Sequence, residues 1–77
     1  MEKAVVSKDR YNQNLGAAIR LLRLELGLSQ EKFAEIVGIG RTYMGAIERG
    51  EKSISAYNLY RILASVDVPI DKFLVNI

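Results

Sequence analysis

The sequence predicts an all-α domain of five short helices, and three observations carry that prediction. Apolar residues recur at steps of three and four along most of the chain, the spacing that gathers them on one face of a helix. Good N-capping residues open these stretches and glycines close them. Nowhere does a period-two alternation run between hairpin signals, so no strand is expected.

The elements follow in order. Residues 1–11, with Val5 and Val6 as the apolar pair, read as a short N-terminal tail. The first helix is expected to open at Asn12 or Asn14, with Leu15, Ala18, Ile19, Leu22 and Leu26 on its buried face and Gly27 as terminator. Ser29 caps a second helix that turns Phe33, Ala34 and Val37 inward and stops at Gly38. A third runs from about Gly40 to Gly50. Ser55 caps a fourth, with Leu59, Ile62, Leu63 and Val66 buried and Asp67 as a left-handed terminator in place of glycine. Pro69 opens a last short helix carrying Ile70, Phe73 and Leu74. The folded domain is thus expected over residues 12–77.

Composition narrows the function. A chain of 77 residues supports one modest core. With 49% hydrophobic and 26% charged residues, it has the composition of a folded domain. No apolar run approaches the roughly 18 residues of a membrane span, and the N-terminus lacks the apolar core of a signal peptide. No membrane partner is expected, and a cytoplasmic location is.

Cysteine and histidine are both absent, which removes disulfides, thiolate and imidazole catalysis, and the common zinc and transition-metal sites. No nucleophile, base and orienting group fall in one constellation, so neither an enzyme nor a cofactor is expected. The net charge of +2 permits nucleic-acid binding, and the placement of the cations decides the matter.

That placement is concentrated in GIGRTYMGAIERGEKS, residues 38–53. Glycine inside a helix costs about 1 kcal/mol relative to alanine, so Gly45 points to a reason other than helix stability. With residues 30–50 on two helices joined by a tight turn, Ala34 lets the helices approach and Gly38 supplies positive φ. Phe33, Val37, Ile39, Met44 and Ile47 then fill the wedge between them, which is a helix-turn-helix pattern.

At about 100° per residue, Met44 and Ile47 face the core, leaving Thr42, Gly45, Ala46 and Arg49 outward with Arg41 on the flank. A surface thin in the middle and basic at its ends suits a major groove. Arg41, in the first turn, is placed to pair with guanine O6 and N7 for about 1–3 kcal/mol of discrimination. Thr42 suits a thymine methyl or a phosphate, and Tyr43 suits packing or a phosphate. Gln30, Arg49, Lys52, Ser53 and Ser55 are the expected phosphate anchors. For Gly45 and Ala46, close helix packing inside the domain is the competing reading.

The run GLSQEKFAEIVGIGRTYMGAIERGEKSIS resembles the Cro/CI-type, or Xre-like, helix-turn-helix family of phage repressors and bacterial regulators, over about residues 15–74. The resemblance implies a compact five-helix, lambda-repressor-like DNA-binding domain whose helix-turn-helix is helices 2 and 3. It implies that Gln30 holds a phosphate, that Arg41, Thr42 and Ala46 face bases, and that Arg23 forms a buried ion pair with Glu48. The helical projection also sets Glu48 beside the core, where a charge needs a partner. A homodimer through Ile70, Phe73, Leu74, Val75 and Ile77 is implied, bound to a palindromic operator of double-stranded DNA, together with a contact to RNA polymerase.

More narrowly, RTYMGAIERG is similar to a run in restriction-modification controller proteins, small dimers that regulate their own operon and the endonuclease gene. Ile54 and Leu63 suit that subgroup. Gly45 and Ala46 are smaller than the polar residues other members use, which shifts readout toward Arg41, Thr42 and DNA shape. Leu21 and Leu24 fall where the family carries charge. Such side chains suit a protein partner, as in an antitoxin or other interaction module built on the same fold.

Overall fold

The computed structural model describes residues 7–75 and Ile77; Val5 and Val6 lie outside the described residues. Five helices follow one another: α1 (Lys8–Glu25), α2 (Gln30–Val37), α3 (Arg41–Glu48), α4 (Ala56–Ser65) and α5 (Ile70–Leu74). No strand occurs among the described residues.

α1 begins earlier than Asn12 or Asn14. The Ser7 side chain accepts from the Arg10 N–H at 3.0 Å, and Asp9 lies in the first turn, where a positive helix end favours an acid. Residues 8–11, read from the sequence as tail, are helical. Asn12 serves elsewhere: it is buried, donates to Ser53 Oγ at 3.1 Å and accepts from that hydroxyl at 3.3 Å.

The other boundaries fall where their caps stand. Ser29 and Ser55 accept from Lys32 and Asn58 N–H groups, and Asp67 takes a φ of 59°. Leu26, expected on the buried face of α1, is exposed because it is the C-cap, beyond the last full turn.

The core gathers Leu15 and Ile19 from α1, Phe33, Ala34 and Val37 from α2, and Met44 and Ile47 from α3. Ile54, Leu59, Ile62, Leu63 and Phe73 complete it, with Ile39 packed at its edge. Each fully buried side chain of this size contributes about 1.5–3 kcal/mol through removal from water.

Two close approaches fix α3 in this frame. At Gly16, α1 crosses the end of α3, and a Cβ there would strike the Ile47 carbonyl oxygen and lie 2.9 Å from that of Glu48. At Gly38 the chain turns with a φ of 74°, and the Ile39 N–H returns to the Ala34 carbonyl at 2.9 Å. Arg61 of α4 completes the turn, donating from Nη2 to the Val37 and Gly38 carbonyls, both at 3.3 Å. A guanidinium at the negative end of α2 is favourably placed, and it ties α4 to the α2–α3 junction. No helix among the described residues is long and apolar enough to cross a membrane.

Candidate nucleic-acid interface

The interface rests on a buried ionic brace. Arg23 forks onto Glu48, Nε to Oε2 at 2.8 Å and Nη2 to Oε1 at 2.9 Å, with the two side chains 11% and 3% exposed. Its remaining nitrogen, Nη1, donates to the Leu28 carbonyl at 2.9 Å. The hydrogen bonds to Glu48 hold the guanidinium above its already high value despite burial, so it stays charged. Gln30 Nε2 joins Glu48 Oε1 at 3.2 Å. One carboxylate therefore links α1, the first turn of α2 and the end of α3.

On the outer side of this brace, Gln30, Arg41, Thr42, Gly45 and Arg49 line an open cleft of about 240 Å³. Met44 and Ile47 hold the opposite side of α3 in the core, so Arg41, Thr42 and Arg49 are turned to solvent. Glu31 lies 3.7 Å from Arg41, with both side chains exposed, a weak pair in water. Arg49 is held more firmly, its Nε and Nη2 donating to the Glu51 carboxylate at 2.9 and 3.1 Å. The hydrogen bonds from Arg49 pull the Glu51 carboxyl below the usual range, and those to Glu51 raise Arg49.

Gly45 and Ala46 do not form the open floor that the projection suggests. Ala46 is 8% exposed, and Gly45 is roofed by two side chains. A Cβ on Gly45 would lie 3.1 Å from both Arg49 Nη1 and Gln30 Oε1. A projection follows the direction of each Cα–Cβ bond; it misses a side chain reaching across from α2 and one running back from the next turn. In the same way Gln30, expected on a phosphate, has its amide on Glu48 and braces α3.

The loop after α3 also differs in detail. The Ser53 hydroxyl is bonded to Asn12, and the Ser53 carbonyl accepts from the Tyr43 hydroxyl at 3.2 Å. The Ser55 hydroxyl caps α4. Lys52 is exposed on the same loop, outside the cleft.

The expected dimer residues divide. Phe73 belongs to the core of its own domain, and Ile70 and Ile77 pack against that core. Leu74 and Val75 are exposed, at 46% and 82%. Phe73 thus lies mainly in the core of its own domain, which leaves Leu74 and Val75 as the exposed apolar residues of this set.

Sequence reading missed Glu51 and Arg61. Glu51 stands two residues from Arg49, a spacing that no helical pairing rule favours, and Arg61 acts across a tertiary contact.

Known proteins are similar to this chain over most of its length. The control protein C.SmaI of Serratia marcescens is 35% identical over 62 residues, covering 80% of this chain and 74% of that protein. The control protein C.MunI of a Mycoplasma species is 35% identical over 63 residues, covering 80% of this chain and 85% of that one. The crystal structure of the restriction-modification controller protein C.AhdI from Aeromonas hydrophila aligns with a TM-score of 0.76 at 32% identity, over 82% of this chain and 96% of its own. The helix-turn-helix family model matches residues 19–73, so the chain belongs to the Cro/CI-type, Xre-like helix-turn-helix family of DNA-binding transcriptional regulators, which are not enzymes.

Proposed function

We propose that this protein is the controller of a restriction-modification operon and binds a palindromic operator as a homodimer, through the major groove. The observation that carries the reading is the outward face of α3, where Arg41, Thr42 and Arg49 stand exposed around one cleft while the inward face is locked in the core. Donors fixed on a rigid helix can select base edges, and cations at the rims hold phosphates. The kinship with control proteins C.SmaI and C.MunI supports the controller role. Leu74 and Val75, exposed on and beside α5, are the apolar surface a second copy would cover. A contact between the bound dimer and RNA polymerase, and a place in the cytoplasm beside the DNA, go with this reading.

Selection of bound sequences from a random duplex pool, at one fixed salt concentration, tests it with the intact protein and Arg41→Ala. The expected result is a palindromic motif with half-sites about one helical turn apart, which loses a guanine preference in the variant. A second reading draws on Leu21 and Leu24, which are exposed on α1 at 55% and 50% and suit a protein partner, as in an antitoxin. A folded protein that enriches no motif would transfer the weight to that surface.

A further inference from the structure

We propose that Glu51 determines specificity by holding the Arg49 guanidinium side-on above Gly45, so that its end-on nitrogens meet a guanine. The inference rests on the DNA-binding reading above and changes the expected role of Arg49, from phosphate anchor to base reader.

The geometry begins with the guanidinium. It is a rigid fork with one donor pair along its side, Nε and Nη2, and a second pair at its end, Nη1 and Nη2. Glu51 occupies the side pair at 2.9 and 3.1 Å. Nη1 has no hydrogen-bond partner among the described residues and lies over Gly45, 3.1 Å from the point a Cβ would occupy. The end pair therefore keeps donor hydrogens that Glu51 does not take, on a residue that lines the cleft shared with Gln30, Arg41 and Thr42. Gly45 finds a reason here: a side chain at that position presses against the guanidinium.

The chemistry of the buttress then selects the partner. A phosphate that approaches Arg49 meets the Glu51 carboxylate beside it, and like charges repel. Guanine presents neutral acceptors, O6 and N7, at a spacing that matches the end pair, and can bind while Glu51 stays in place. Glu51 thus weakens the sequence-independent, phosphate-driven part of binding and leaves the base-reading part intact. It also removes rotamers from a long side chain before docking, which reduces the entropy lost on binding. Arg41 lacks such a two-point buttress, since Glu31 approaches it only to 3.7 Å.

The test is a titration at one fixed salt concentration of three kinds of duplex: the selected operator, operators with each half-site G·C pair changed in turn to A·T, and a random duplex. The proteins are wild type, Arg49→Lys, Glu51→Gln and, as a charge-matched control remote from the cleft, Glu25→Gln. Glu51 and Arg49 are exposed, so these variants keep the fold. In wild type, one G·C change is expected to cost tenfold or so in affinity, and Arg49→Lys abolishes the preference at that position. Glu51→Gln is expected to lose most of the same preference while binding random duplex more tightly. Glu25→Gln shifts operator and random duplex by one common factor.

Preference intact in Glu51→Gln, with both duplexes bound tighter by the same factor, would overturn the assignment and leave DNA binding standing. No guanine position responsive to Arg49→Lys would overturn it equally. Wild type that prefers no operator over random duplex would remove the DNA reading and this inference together.

Discussion

At the scale of single residues, the Arg23–Glu48 pair decides more than any surface charge. Burial makes each charge expensive alone, and the fork with the Leu28 carbonyl and the Gln30 amide satisfies both. Glu48→Ala leaves the guanidinium with the Leu28 carbonyl as its buried partner, and we expect a loss of about 3 kcal/mol in urea unfolding. Arg23→Ala should lose a comparable amount, and the double variant less than the two together, because each single change strands the same interaction. An unchanged midpoint in Glu48→Ala would refute the brace. This pair was legible in the sequence because the family resemblance and the helical projection both led to Glu48. The Arg49–Glu51 pair was not, because its geometry is set where α3 has already ended and no helical period applies.

At the scale of elements, Gly16 and Gly45 separate two uses of the same residue. In both helices alanine is the better helix former by about 1 kcal/mol. At Gly16 the added methyl would meet the Ile47 and Glu48 carbonyls, backbone atoms fixed by the core and by the brace. At Gly45 it would meet the far ends of Gln30 and Arg49, which can swing by a few tenths of an ångström. Gly16→Ala is therefore expected to destabilise by about 2 kcal/mol or more, in the range of overpacking. Gly45→Ala is expected to leave the thermal midpoint unchanged or raised, yet to weaken operator binding. A stabilised Gly16→Ala variant would mean that α1 and α3 are not pressed together as seen. Helix ends at Ser29, Gly38, Ser55 and Asp67 were readable, since caps act within a few residues. The start of α1 was hidden because its first turn, Lys8 to Tyr11, is exposed and shows no apolar period, leaving only Ser7 to mark it.

At the scale of the whole molecule, the helix-turn-helix was legible because its spacing lies in one continuous run, whereas the surface left for a second copy was not. Which α5 side chains face outward depends on which one closes the core, and Phe73 does so while Val75 stays 82% exposed. A domain of 77 residues buries only about 60–65% of the surface of its unfolded chain, so association adds materially to a narrow margin. The proposed dimer then requires a thermal midpoint that rises with protein concentration. Val75→Glu supplies the control, since a side chain so exposed contributes little within one copy, while a charge set into an apolar contact between copies opposes it. Sedimentation should give a dimer for wild type and a monomer for Val75→Glu at the same concentration, with the variant still folded and its midpoint independent of concentration. On DNA, Val75→Glu should still bind a single half-site but lose the added affinity of the palindrome, because the second domain no longer arrives tethered to the first. Wild type that sediments as a monomer, with a midpoint indifferent to concentration, would exclude the α5 surface as the join and require two independent domains to meet only on the operator.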